Sequence, residues 1–177
     1  MARFIAFLRA INVGGHTVKM DRLRGLFEDA GLANVETFIA SGNVIFDSAA
    51  RNHDSLEQRI EQHLASALGY DVATFLRAPA QLGAALDATP FAGELPAGTA
   101  LSVGFLKRPP TRAVERMLLD CRTDTDDLSI VGRELWWLRH GRVSDSPITG
   151  KLLERILGGP VTVRNVTTVR KLAAKYA

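Results

Sequence analysis

The segment that most constrains the fold is an apolar run near the start of the chain, Phe4 to Leu8. Successive side chains of a strand point to opposite faces, so a run that is apolar at every position predicts a strand buried on both faces. The run stops at Arg9 and continues into Asn12 to Gly15, a composition typical of a turn. We therefore predict a strand over residues 3–9 with a polar loop at its end.

Alternating helical and strand periodicities follow this first strand. They predict, in order, helix 20–30, strand 35–40, strand 44–47, helix 54–68 and strand 72–77. This β-α-β-β-α-β order is that of the ferredoxin-like split βαβ unit, in which the first and third strands are neighbours in an antiparallel sheet.

The second half of the chain repeats the pattern more loosely. It predicts strand 100–106, helix 111–119, paired strands 128–131 and 135–138, a helix capped by Ser146 with Pro147 at its first position, strand 161–163, and a terminal helix capped by Asn165. The predicted fold class is α+β, with two ferredoxin-like halves and antiparallel sheets. We place the N-terminal half at 1–78, a linker at 79–96 and the C-terminal half at 97–177.

Composition indicates an ordered cytoplasmic protein. The chain has 177 residues, of which 46% are hydrophobic, enough for a sizeable core. Its one cysteine, Cys121, allows no internal disulfide and fits a reducing compartment. The first apolar run is too short for a signal sequence or a membrane span. We expect no membrane association and either a monomer or a homodimer.

Several short motifs together resemble a bacterial family known as domain of unknown function 1697. The resemblance rests on residues 8–15, on Met20, Leu23 and Leu26, on residues 41–44 with Phe46, and on residues 162–165 with Thr168, Val169, Lys171 and Leu172. It covers nearly the whole chain and implies a ferredoxin-like α+β fold, with no established activity, substrate or cofactor. The chain departs from the family pattern at four positions, with Ala10 in place of the usual Gly, His16 in place of Lys, Pro147 in place of Lys, and Val166 in place of Trp.

Two polar loops are predicted to meet at one edge of the first sheet. Because neighbouring strands one and three are antiparallel, the end of the first lies beside the start of the third. The residues brought together are Arg9, Asn12, Gly14, Gly15, Ser41, Gly42 and Asn43. A guanidinium beside exposed backbone amides is suited to an anion. The alternative is that the glycines only form turns and that Arg9 pairs with Asp47 or Asp21.

Basic residues are concentrated at the end of the chain. Residues 133–177 contain 9 Lys and Arg against 3 Asp and Glu, whereas residues 1–132 contain 13 against 16. Arg164 and Asn165, at the start of the predicted terminal helix, join the candidate ligand-binding set because a helix N-terminus favours an anion. This basic region leaves nucleic-acid binding open as an alternative.

Other classes of site have little support in the sequence. The four histidines lack metal-ligand spacing, so we predict no metal and no cofactor. Gly-x-Ser-x-Gly is absent, and Thr149-Gly150-Lys151 lacks the other residues of a P-loop. Asp124, Asp126 and Asp127 are interpreted as a solvated turn. A sheet face carrying Phe7 and Phe46 has the layout of RNA-recognition modules but lacks their basic and aromatic consensus.

These observations favour a non-catalytic cytoplasmic protein that binds an anionic, phosphate-bearing ligand. Two alternatives remain open. One is an enzyme acting on a small anionic substrate at a cleft between the halves, and the other is nucleic-acid binding through the basic C-terminal region.

Overall fold

The computed structural model describes residues 1–39, 42–91 and 93–176. The chain divides into two compact units, Met1–Gln81 and Leu82–Ala177. Helix α3 spans the division between them and is given below with the second unit. Among the described residues, none of the helices combines the length and the apolar character needed to cross a membrane.

The first unit is a four-stranded antiparallel sheet with two helices. Its elements are β1 (Ala2–Leu8), α1 (Met20–Asp29), β2 (Ala33–Thr37), β3 (Asn43–Ser48), α2 (His53–Leu68) and β4 (Thr74–Arg77). The strand order is β2-β3-β1-β4. Phe4 lies opposite Phe46 and Phe7 lies opposite Asn43, so the first and third strands are neighbours. The ferredoxin-like prediction for this half is confirmed.

The second unit has the same topology. Its elements are α3 (Pro79–Asp87), β5 (Thr99–Phe105), α4 (Arg112–Leu119), β6 (Asp126–Val131), β7 (Glu134–His140), α5 (Gly150–Leu157), β8 (Thr162–Asn165) and α6 (Val166–Tyr176), with a single 3₁₀ turn at Val143–Asp145. Its strand order is β6-β7-β5-β8, which matches β2-β3-β1-β4 of the first unit when β5 to β8 are taken as equivalent to β1 to β4. The α+β fold with two ferredoxin-like halves is therefore confirmed for the whole chain.

Helices α1 and α2 pack on one face of the first sheet. Alternate β1 side chains, Phe4, Ala6 and Leu8, join a core with Leu23 and Phe27 of α1. The Phe46 ring lies 5.8 Å from that of Phe4 and 5.6 Å from that of Phe27, distances typical of favourable aromatic contacts. Each such buried side chain contributes about 1.5–3 kcal/mol, so this core fixes where β1 ends and the loop after it begins.

The predicted start of α5 is wrong by one turn. Thr149, not Ser146, is the N-cap, since its hydroxyl accepts a hydrogen bond from Leu152 N at 3.2 Å and the helix begins at Gly150. The Ser146 hydroxyl instead accepts from Ile148 N at 3.1 Å and donates to Asp126. Pro147 consequently lies in a turn before the helix. A buried carboxylate competes successfully for the hydroxyl that local sequence assigns to a cap.

Candidate functional site

Two loops of the first unit meet where β1 ends and β3 begins. Leu8 N, at the last residue of β1, donates to Gly42 O at 2.8 Å, which joins the end of β1 to the β2–β3 loop. Gly42 has φ +77°, and a Cβ on it would lie 2.7 Å from Ile11 Cγ2. Only glycine fits both the conformation and the space, so this contact holds the two loops together. Ser41, predicted for the same site, lies outside the described residues.

The loop after β1 is closed by hydrogen bonds within itself. The Asn12 side-chain oxygen accepts from Val18 N at 2.8 Å, and His16 N donates to Val13 O at 3.3 Å. Val18 is buried and anchors the far end of the loop in the core. Asn12, which we predicted as a ligand-binding residue, therefore uses its side-chain oxygen to shape the loop.

Gly14 and Gly15 lie at the exposed tip of this loop. Their φ angles are +66° and +87°, in the left-handed region that favours glycine. A Cβ on either residue would meet nothing within 4 Å, so conformation alone and not packing requires glycine here. The backbone at the tip is consequently open to approach by a ligand.

Tyr70 supports the loop from the other side. Its ring stacks on His16 with centroids 3.8 Å apart and planes 21° from parallel. The Tyr70 hydroxyl also lies 3.5 Å from Ile11 O, to which it donates. Sequence analysis missed this contact because Tyr70 follows the C-cap of α2 and is far from His16 along the chain. The local sequence signal that could have indicated this contact is an aromatic residue directly after the Gly69 C-cap.

Arg9 is half-buried at the end of β1. Its backbone N–H donates to Ala73 O at 2.9 Å, which fixes the residue beside the start of β4. The carboxylates suggested as ion-pair partners have other contacts. Asp47 accepts from Arg3 at 2.9 Å and from Asn34 at 2.7 Å, and the Arg3 hydrogen bond, ahead of the Asn34 bond, lowers the pKa of Asp47. Asp21 forms an ion pair with Arg24, with 3.5 Å between Asp21 Oδ1 and Arg24 Nη2.

Asn43 serves the β2–β3 loop. It is completely buried, and its side-chain Nδ2 donates to Phe38 O at 2.9 Å. Phe38 N in turn donates to Asn43 O at 3.0 Å, so both ends of the loop are joined through this residue. Asn43 therefore belongs to the framework of the site and does not reach its surface.

Arg164 and Asn165 are in the second unit and have structural contacts there. Arg164 is buried and donates to Thr162 Oγ1 at 2.8 Å and to Val163 O at 3.0 Å. Burial lowers the pKa of Arg164 to about 10, so the side chain stays charged at neutral pH. The Asn165 side chain accepts from Thr167 N at 2.8 Å, which caps α6 as the sequence predicts.

A buried carboxylate cluster in the second unit escaped the sequence analysis. Asp126 is 1% exposed, so its interpretation as part of a solvated turn is wrong. Its carboxylate accepts hydrogen bonds from Ser146 at 2.7 Å, Trp137 Nε1 at 2.8 Å, Thr125 at 3.0 Å and Thr123 at 3.4 Å. Burial by itself would raise the pKa of Asp126, but these hydrogen bonds outweigh it and lower the pKa.

The described residues contain no group of three or more His, Cys, Asp and Glu side chains placed to hold a metal ion. The loop after β1 has the cationic residues Arg9 and Lys19 at its two ends, exposed backbone at its tip, and the stacked pair of His16 and Tyr70 beside it. The Asp126 cluster offers a carboxylate that is already saturated with donors. Of the two, only the loop is open at the surface.

Comparison with known proteins identifies the family. The structure of the conserved bacterial protein SP0830 from Streptococcus pneumoniae is similar over 99% of this chain and 98% of that chain, with a TM-score of 0.78 and 23% identity. This likeness shows the shared fold. Comparison with curated proteins found no match. The family described as protein of unknown function (DUF1697) matches residues 1–136. The chain, with two ferredoxin-like units, belongs to the DUF1697 family.

Proposed function

We propose that this chain is a non-catalytic cytoplasmic protein that binds an anionic, phosphate-bearing ligand at the loop between β1 and α1. The observation that carries the proposal is the shape of the loop tip. Gly14 and Gly15 are exposed in left-handed conformations with open space around them, while Asn12 and Tyr70 hold the rest of the loop. A loop that is held at its base and has glycine backbone exposed at its tip is suited to donating N–H groups to an anion.

The charges around the loop favour an anion. Arg9 is the first residue of the loop and Lys19 is the last, so a cationic residue stands at each end. A guanidinium pairs with phosphate or carboxylate through charge-assisted hydrogen bonds, which are about twice as strong as neutral ones. A loop already closed by its own hydrogen bonds also loses less conformational entropy on ligand binding than an open loop would.

Binding without catalysis is favoured by the positions of the perturbed carboxylates. An enzyme site near Arg9 would be expected to include an acid or base with a displaced pKa. Within the described part of the chain, the aspartates with lowered pKa are Asp47 and Asp126. Asp47 lies opposite Arg3, at the other end of β1 from Arg9, and Asp126 is in the second unit.

Thermal unfolding in matched salts tests the proposal. At a phosphate concentration a hundred times Kd, binding adds about 2.7 kcal/mol to stability. For a chain of this size that raises Tm by about 5–10 °C over chloride at equal ionic strength. R9Q should remove the rise, whereas R51Q, which changes an exposed arginine on a different loop, should retain it.

Further measurements distinguish a ligand-binding role of Arg9 from a structural one. If R9Q unfolds, G14A supplies a second variant, since it strains the loop by about 1 kcal/mol and leaves Arg9 unchanged. No phosphate-dependent rise in the unmodified protein, or equal losses in R9Q and R51Q, would refute the proposal. Sub-micromolar, salt-sensitive binding of a short RNA would instead favour a nucleic-acid surface. We expect no such binding, because Arg164 is buried and Arg139 lies over the Trp137 ring, 5.2 Å from its centroid.

A further inference from the structure

The second unit contains a cavity of about 400 Å³ at one end of helices α4 and α5. Its apolar lining is formed by Leu106, a core residue of this unit, and by Val114 and Leu157, which are partly buried and pack against that core. Pro109 and Gly159 also line it. A volume of this size is within the range of small-molecule sites.

The two units can be compared position by position at this place. Leu8 N donates to Gly42 O in the first unit, and Leu106 N donates to Arg133 O at the equivalent point of the second. Helices α2 and α5 both end at a left-handed glycine, Gly69 and Gly158, whose N–H bonds the carbonyl four residues earlier. The residue after the cap is therefore Tyr70 in one unit and Gly159 in the other.

This difference explains the cavity. In the first unit the Tyr70 ring fills the notch between the helix end and the β1–α1 loop, and it stacks on His16 at 3.8 Å. In the second unit Gly159 has no side chain, and the β5–α4 connection, residues 106–111, is shorter than its counterpart at 9–19. The place of a flat aromatic ring is left open beside Pro109 and Pro110.

The cavity rim is basic. Arg108 is exposed and Lys107 is half-buried, and both line the cavity; no acidic residue is among its described lining residues. An apolar interior with cations at the rim suits a ligand with an apolar ring and one negative charge. We propose that this cavity binds a small planar aromatic carboxylate, whose ring takes the place that Tyr70 occupies in the first unit. The site is separate from the loop after β1.

Indole-3-carboxylate is a suitable probe, with indole-3-carboxamide as its uncharged partner. In a titration followed by two-dimensional NMR at millimolar probe, we expect the amide resonances of Val114, Gly158 and Gly159 to shift. The carboxamide should bind at least ten-fold more weakly. R108Q should weaken carboxylate binding several-fold and leave carboxamide binding unchanged, since glutamine removes the positive charge and keeps a polar side chain at the rim.

Filling the cavity gives the sharper test. Gly159 is outside the left-handed region and a Cβ there meets nothing within 4 Å, so the backbone accepts a side chain at this position, and G159Y is designed to place a ring in the cavity. It should abolish probe binding without lowering Tm. The matched control is G150Y, whose Cβ also meets open space but which lies outside the cavity. Binding by G159Y equal to that of the unmodified protein, or no shift of the three resonances with either probe, would overturn the proposal. If G159Y fails to fold, R108Q supplies the test, and carboxylate binding by R108Q equal to that of the unmodified protein would overturn the proposal.

Discussion

Asp126 is the residue whose removal should test the energetics of this fold most directly. In D126A the Trp137 Nε1 donor, which lies in the core of the second unit, loses its acceptor. An unsatisfied buried donor costs about 1–3 kcal/mol. The bonds from Ser146 and the two threonines are also lost, but these hydroxyls are near solvent and recover part of the energy. We expect a total loss of about 3–4 kcal/mol, since hydrogen bonds to a charged group contribute about 1.5–3 kcal/mol each.

Urea denaturation followed by circular dichroism measures this loss. D126N keeps an oxygen for Trp137 and should lose only about 1–2 kcal/mol. D124A removes an exposed aspartate two residues away and should change stability by less than about 0.5 kcal/mol. A loss in D126A no larger than in D124A would show that the hydrogen bonds contribute nothing net and that the reasoning is wrong.

The lowered pKa of Asp126 adds a pH dependence to the same comparison. A carboxyl whose pKa is lower in the folded state contributes stability above its unfolded pKa, and loses that contribution as pH falls through the folded value. The free-energy difference between the unmodified protein and D126N should therefore be constant near neutral pH and shrink below the ordinary aspartate value of 3.8. A difference that grows on acidification would contradict the sign of the shift.

Two backbone positions give further predictions. Ala10 has φ +55°, so A10G should relieve the strain of a left-handed backbone. Allowing for the greater entropy that glycine gives the unfolded chain, we expect stability to rise by about 0.5–1 kcal/mol. The control A65G, inside α2, should lower stability by about 1 kcal/mol. Equal effects of the two changes in thermal unfolding would contradict this. G42A combines φ +77° with a 2.7 Å contact to Ile11 and should cost about 2–3 kcal/mol. G69A, with a similar φ and open space, should cost about 1 kcal/mol in the same assay, and a G42A loss no greater than that would show that the two loops do not pack tightly.

The fold was predictable because its signals are local. The apolar run from Phe4 to Leu8, the helical stripes and the glycine stops each depend on a few neighbouring residues, and their order selects a single topology. The usual glycine at position 10 in the family pattern also has a local reason, since the backbone there is left-handed. The meeting of the loops at Leu8 and Gly42 follows directly from antiparallel pairing.

The roles of individual polar residues were less predictable because their partners are distant in sequence. Asp126 is buried by Trp137 and Ser146, which are 11 and 20 residues further along. Nothing near Asp126 distinguishes it from the exposed Asp124. Asn43 is similar, because its side-chain Nδ2 donates to the Phe38 carbonyl at the other end of its own loop. Polar side chains acquire their function from tertiary partners, and periodicity does not specify them.

The Asp126 cluster also determines how the edge strand of the second sheet is aligned. Strand β6 lies at the edge, where a strand has only one neighbour to fix its position. A slip of β6 by one residue would turn Leu128 to the outside and Asp127 inward, and it would remove the acceptor of Trp137. The hydrogen-bonded carboxylate therefore adds an energetic cost to a one-residue shift of β6 against β7.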